Sequence, residues 1–272
     1  MDADLAWTDA RVVVLDLETT GTHPATDRIV EVGTAVFLGG RAAEWRRARV
    51  DPGVPIPPDA TAIHGIGAAH VAGQPRIGAL ARRLFEHLAG ETTALVGYNA
   101  HHFDVPLLNA ELARAGRPER LDPDDVLDLM IFARWYHRDR RRRRLADLCA
   151  WYGISLQDAH TAAADSAATG FLLFAMVRDG VVPATVRAAF AEQARLVPLL
   201  EAERRVYGHW MYRDRQTGEL CIGAGRLSGL PLAAADPGAI SDLLAEVSDL
   251  PAAVRDAFEA RRRGEPPPTA EG

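Results

Sequence analysis

Lysine is absent from this chain of 272 residues, so all 31 basic residues are arginine. Arginine grips carboxylates and phosphates with two parallel hydrogen bonds, but so uniform a usage also fits a GC-rich coding bias and assigns no function by itself. Cysteine is scarce. Cys149 and Cys221 cannot build a disulfide framework, nor can two thiols alone furnish a structural zinc site; a reducing compartment is the simpler expectation. No uninterrupted apolar stretch approaches the roughly 18 residues that cross a bilayer. The opening residues MDADLAWTDA carry acids where a secretory leader carries a basic patch. The chain is therefore expected to be cytoplasmic, with no membrane partner. Net positive charge is also missing. The 37 acids outnumber the arginines for a formal net charge of −6, which argues at first sight against nucleic acid, whose phosphates bind basic side chains.

With 48% hydrophobic and 25% charged residues, the chain can bury a sizeable core, which excludes a disordered or collagen-like protein. Its length suits one large domain with a small extension. Val/Leu-rich runs at 11–18 (RVVVLDLE) and 31–37 (EVGTAVF) read as strands buried on both faces, and 44–52 as a third strand across the GGRA turn. The proline-rich segment PGVPIPPDATAIHGI reads as a loop without regular structure. Apolar residues at Ile77, Leu80, Ala81, Leu84, Phe85 and Leu88 follow helical spacing, and 93–99 is a short strand. Helices are expected at about 103–115, 124–136, 145–152, 161–178 and 184–206. A hairpin follows, with Gln216-Thr217-Gly218 in its turn, then helices at about 237–247 and 251–262. No internal repeat is present. The fold class is α/β. The expected organisation is a catalytic domain over 1–180, a helical linker over 181–207, a small α+β module over 208–264 and a disordered tail over 265–272.

Asp16 and Glu18 stand two apart at a strand end and project to one face. Two carboxylates so placed repel and resist desolvation unless something positive lies between them; a divalent cation is the obvious candidate, and a solvated strand end is the bland alternative. Asp104 falls in the first turns of a helix marked by Phe103, Leu107, Leu108 and Leu112, where the helix N-terminus favours an acid. Asn99 is a good helix N-cap. Thr161 can cap a helix from Ala162, leaving His160 in the entry loop and Asp165 one turn inside, so that the two can converge.

The ordered set D-x-E, Asp and H-x4-D resembles the motif pattern of the DnaQ-like (DEDDh) exonucleases, the family of the proofreading epsilon subunit of bacterial DNA polymerase III. The resemblance is carried by VVLDLETTG (13–21), IPPDATAIHGI (56–66), VGYNAHHFDVPLL (96–108) and DAHTAAADSAAT (158–169), and spans about residues 10–178. It implies a ribonuclease H-like mixed five-stranded sheet flanked by helices, and 3′→5′ exonuclease activity. It further implies that Asp16, Glu18, Asp104 and Asp165 hold two Mg2+ or Mn2+ ions, roughly 3.5–4 Å apart around the scissile phosphate, while His160 takes the proton from the attacking water. Leu17 and Thr19 resemble positions that meet the terminal ribose. Ile63 and His64 resemble a segment contacting the last base and sugar, Ile63 as a wedge. Asn99 matches a position near the phosphate, beside its capping role.

The implied substrate is a single-stranded or frayed DNA 3′ end, with RNA as the rival on the same scaffold and an idle nucleic-acid-binding module as the alternative of another class. His101 and His102 point about 100° apart and are expected to be exposed at a helix start. Residues 134–144 hold seven arginines and one aspartate, either a solvated run or part of the path of a nucleic-acid strand. The C-terminal segment GAGRLSGLPLAAADPGAISDLLAEV distantly resembles a module of exodeoxyribonuclease X-like proteins and could bind duplex DNA or a partner, or cover a sheet edge. Gln193–Leu199 loosely resembles peptides that dock on sliding clamps, which would suit a polymerase-associated enzyme. The placement of charge thus reopens the nucleic-acid reading that net charge had closed.

Overall fold

The computed structural model describes residues 5–138, 140, 142–155, 161–214 and 217–266. The chain forms two compact units, one of Met1–Phe132 with Arg144–Ala194 and the other of Ala133–Arg143 with Arg195–Gly272.

The first unit is built on five strands: β1 (Arg11–Thr19), β2 (Ile29–Leu38), β3 (Arg41–Arg49), β4 (Thr93–Gly97) and β5 (Val126–Asp128). Their order is β3-β2-β1-β4-β5, antiparallel among the first three and parallel from β1 to β5. The central strand β1 carries Val12, Val13 and Val14 with no exposure, as expected of a strand covered on both faces. The intervening helices are α1 (Pro58–His64), α2 (Ala68–Val71), α3 (Ile77–Leu88), α4 (Asp104–Arg114), α5 (Leu129–Tyr136), α6 (Leu145–Trp151), α7 (Ala162–Arg178) and α8 (Val186–Tyr207). Val13, Leu15, Leu17, Val32 and Val36 pack with α3 and α4 on one face of the sheet. The alternate residues of β1 and β2 face α7.

Two glycines set the distance between α7 and the sheet. A Cβ at Gly33 would fall on the carbonyl of Ala162, and one at Gly170 on the ring of Phe37. Cys149 of α6 is fully buried, and burial, followed by the charge of Asp165, pushes its thiol up to about 12.

Three sequence expectations need correction. The proline-rich segment contains α1, and α2 follows directly after it. Pro58 occupies the first helical turn of α1, where its missing N–H costs nothing, and Gly65 ends that helix with φ of 71°. The helix expected from residue 124 is strand β5 followed by α5, and β5 supplies the fifth strand. Asn99 does not cap α4, whose N-cap is Phe103; it lies in a turn with φ of 65°.

The second unit holds the hairpin β6 (Met211–Arg213) and β7 (Leu220–Ile222) with α9 (Pro237–Glu246) and α10 (Ala252–Arg262). Met211, Ile222, Leu232, Ile240, Leu243, Val254 and Phe258 form its core, and the Asp236 side chain caps α9 by accepting from the Ala239 N–H at 2.9 Å. Gln216 of the expected turn, and the tail from 267 onward, lie outside the described residues. The arginine run is not a simple solvated stretch. Arg138 is buried, pairs with Glu203 at 2.7 Å and lies over the Trp135 ring. Arg143 donates to the carbonyls of His137, Arg138 and Arg140, and Arg144 pairs with Asp147 within the first unit. Among the described residues no helix is long and apolar enough to cross a membrane.

Alanine is the better helix former by about 1 kcal/mol, yet Gly170→Ala places a methyl group inside the Phe37 ring. The expected net result is a loss of about 1–3 kcal/mol in denaturant unfolding, and a gain in stability would contradict this packing.

Candidate active site

Asp16 and Glu18 lie at the C-terminal end of β1 on the α7 face of the sheet. Asp16 sits opposite Gly33 and Glu18 opposite Glu31, and the register slips between Glu18 and Thr19, a bulge of the kind that re-aims side chains near sites. Asp165 is the fourth residue of α7, whose first turn is capped by the Thr161 hydroxyl accepting from the Ala164 N–H at 3.3 Å. Asp16, Glu18 and Asp165 are half-buried and bring one oxygen each within 4.8 Å of one another.

Asp104 is not a member of that triad. It is 1% exposed, and its Oδ1 accepts the N–H of Leu17 at 3.0 Å, so it grips β1 between Asp16 and Glu18. His160 lies outside the described residues.

The expected substrate positions are dispersed in character. The Leu17 side chain belongs to the core and its N–H is taken by Asp104. The Thr19 hydroxyl donates to the Gly21 carbonyl at 2.6 Å. Ile63 is 64% exposed on α1, free to meet a ligand. His64 is buried: its Nδ1 accepts the Ile66 N–H at 3.0 Å and its Nε2 faces the Thr19 carbonyl at 3.2 Å. It therefore ties the α1 loop to the end of β1, and burial holds its pKa below the ordinary value.

Asn99 is held by its backbone, donating to Oδ1 of Asp128 at 2.7 Å. Asp128 is fully buried and also accepts from the N–H groups of His101 and Met130. Behind it, Gln193 of α8 accepts the Asp128 N–H at 2.7 Å and donates to the Val126 carbonyl at 2.9 Å. Gln193 is 3% exposed, which removes it from any clamp-docking peptide. His101 is likewise engaged, its Nε2 lying 3.0 Å from the Val126 carbonyl; the neighbouring His102 is exposed, as expected.

Gly33, Glu31 and Asp128 were not singled out from sequence, and Gln193 was singled out only as the start of a clamp-docking peptide. Only Gly33 carried a local signal, as a glycine inside an otherwise unbroken β-rich run.

The crowding of acids is expressed in their protonation. Burial, then the charges of Asp104, Asp165 and Glu18, raises the Asp16 carboxyl well above its ordinary value. Burial, then Asp165 and Glu31, pushes Glu18 up to about 7, with Arg49 opposing. Burial, then Asp128, pushes Asp104 up to about 8 against its backbone hydrogen bonds. A convergent, all-oxygen donor set that resists ionising on its own suits a hard divalent cation.

A family model described as RNase_T, exonuclease, matches residues 13–173, a span that includes Asp16, Glu18, Asp104 and Asp165. The chain belongs to the RNase_T exonuclease family. The chain is 31% identical over 180 residues to the DNA polymerase III PolC-type of Streptococcus suis, covering 66% of this chain and 12% of that protein; the Streptococcus mutans protein of the same name gives 31% over 178 residues, 65% and 12%. The chain thus spans about an eighth of the length of these relatives. Among solved structures, the E. coli exonuclease I complex with single-stranded DNA aligns at 23% identity and a TM-score of 0.53, over 72% of this chain and 43% of that one. Exonuclease X in complex with 5′ overhanging duplex DNA aligns at 23% and 0.50, over 67% and 98%. The chain is DnaQ-like, with a ribonuclease H-like fold.

Because the folded acids hold protons that the unfolded chain has lost above about pH 4, the cation-free protein should lose stability as pH rises from about 4.5 to 8. In EDTA the melting temperature is expected to fall by at least about 3 °C between pH 5.5 and 8. Mn2+ should raise it more at pH 8 than at pH 6, because the cation displaces those protons. A rise with pH in EDTA would contradict the carboxylate crowding.

Proposed function

We propose that this chain is a divalent-metal-dependent 3′→5′ exonuclease that releases nucleoside monophosphates from single-stranded or frayed DNA 3′ ends. The observation that carries the reading is the convergence of Asp16, Glu18 and Asp165 from two distant segments, with Asp104 anchored to the same strand, in a chain of an exonuclease family. Asp16, Glu18, Asp104 and Asp165 would hold two Mg2+ or Mn2+ ions, which supply Lewis-acid charge at the scissile phosphate when bound.

His160, next to the capping Thr161 in the chain, takes the proton of the attacking water. Its ordinary pKa near 6.5 suits a base at neutral pH. The exposed Ile63 packs against the terminal base, and His64 holds that loop against the end of β1. Asn99 is presented to the substrate by a turn that Asp128 pins. DNA is preferred as substrate because both solved relatives are DNA complexes and the curated relatives are named as DNA polymerases; the same names suggest work in DNA replication or repair. The chemistry is assigned to the first unit. The small module over 208–264 is read as an accessory element.

Matched DNA and RNA oligonucleotides labelled at the 5′ end test this directly. A ladder shortening from the 3′ end of DNA is expected in Mg2+ or Mn2+, with none in EDTA. Asp16→Ala and Asp165→Ala should be silent, and His160→Ala should lose about 10²–10⁴-fold in rate. Faster digestion of RNA would convert the assignment to an exoribonuclease. A stable oligonucleotide complex without product in excess Mg2+ would replace it with a binding module.

A further inference from the structure

Glu31 takes no part in the chemistry described so far, yet it is fully buried beside the acids that do. It lies opposite Glu18 in the β1–β2 register and opposite Arg49 in the β2–β3 register. A further buried carboxylate is costly there, and its charge adds to the burden on both Asp16 and Glu18. Its contacts explain why it is kept. Oε1 accepts the N–H of Ala162, the first residue of α7, at 3.0 Å across 131 residues of sequence. Oε2 lies 2.8 Å from Nε of Arg49.

The first turn of a helix leaves backbone N–H groups without intrahelical partners. In α7 two of them are met from different directions. Thr161 covers Ala164 from within the same segment, which makes the helix start well but leaves its place on the sheet open. Glu31 covers Ala162 from β2, which fixes where the helix starts relative to β1. Two residues along the same strand, Gly33 admits the Ala162 carbonyl into the space a side chain would fill. An acceptor and a cleared space on one strand therefore locate the start of α7 three residues before Asp165, while β1, paired to that strand, carries Asp16 and Glu18.

We infer that Glu31 is the positioning residue for Asp165, with Arg49 beside its second oxygen on the neighbouring strand. The inference rests on the metal-binding role proposed above for Asp165. It predicts that the essential property of Glu31 is an oxygen acceptor at that point, and that its negative charge is secondary.

Two double variants of equal charge separate these properties. Glu31→Gln with Arg49→Met keeps an acceptor for Ala162; Glu31→Ala with Arg49→Met removes it. Two quantities are measured: the Kd for Mn2+ by titration calorimetry, and the exchange protection of the Ala162 amide by NMR, with the Ala164 amide as internal reference. The glutamine pair should bind Mn2+ within about threefold of the unmodified protein and keep Ala162 protected. The alanine pair should bind about 10–100-fold more weakly, in the range found when partners of metal ligands are removed, and should lose protection at Ala162 but not at Ala164. If the alanine pair does not fold, Glu31→Asp, which withdraws the acceptor by one methylene, must weaken Mn2+ binding in the same direction. Equal Mn2+ affinity of the two double variants overturns the inference, as does tenfold weaker binding by the glutamine pair with Ala162 still protected. Failure of the unmodified protein to bind Mn2+ would instead overturn the proposed function, and the inference would fall with it.

Discussion

A buried carboxylate must find hydrogen-bond donors or lose its charge, and in this chain the donors are backbone amides of other elements. Asp104 of α4 holds Leu17 of β1, Glu31 of β2 holds Ala162 of α7, and Asp128 of β5 holds the turn at Asn99 and His101. Glu111 of α4 follows the same pattern, accepting the Ile29 N–H of β2 while pairing with Arg28. Bonds of this kind are directional and worth about 0.5–1.5 kcal/mol each, more where the carboxylate is ionised. They lock the register between elements that apolar packing alone would let slide.

The same economy of donors explains the character of the site. Asp16 and Glu18 project into a space shared with Asp165, where negative charge accumulates faster than arginine offsets it. That arrangement is poor for stability and good for binding a cation, the trade common at functional sites. The supporting frame extends beyond the family match, which ends at residue 173: Gln193 of α8 completes the bonding of Asp128 and Val126. The helix after the matched segment is thus part of what holds the Asn99 turn.

Much of this was legible in the sequence because its signals are local. A valine run ending in D-x-E marks both a buried strand and the acids at its end, and Thr161 announces a helix that places Asp165 one turn in. What was missed depends on distance in sequence. β5 is three residues long, too short for a period, and its polar approach LDPDD disguised it as a helix start. Pro58 read as a breaker because nothing nearby showed that it would occupy the first turn of α1. Asn99 has the side chain of a cap, but Asp128, 29 residues on, bends its backbone into the left-handed region instead. Gln193 looked like part of an exposed peptide because its partners lie 65 and 67 residues away. Glu31 was indistinguishable from any acid on a strand until Ala162 was seen against it.

The missing side chain at Gly33 has an electrostatic effect as well as a steric one. A helix N-terminus carries roughly half a unit of positive charge, felt only within about one turn. By letting the Ala162 backbone settle against β2 opposite Asp16, Gly33 brings that partial charge to the rim of the acid cluster. The apoprotein therefore carries a fixed counter-charge of its own that no titration removes, and a cation arriving there completes a neutralisation that the fold has already begun.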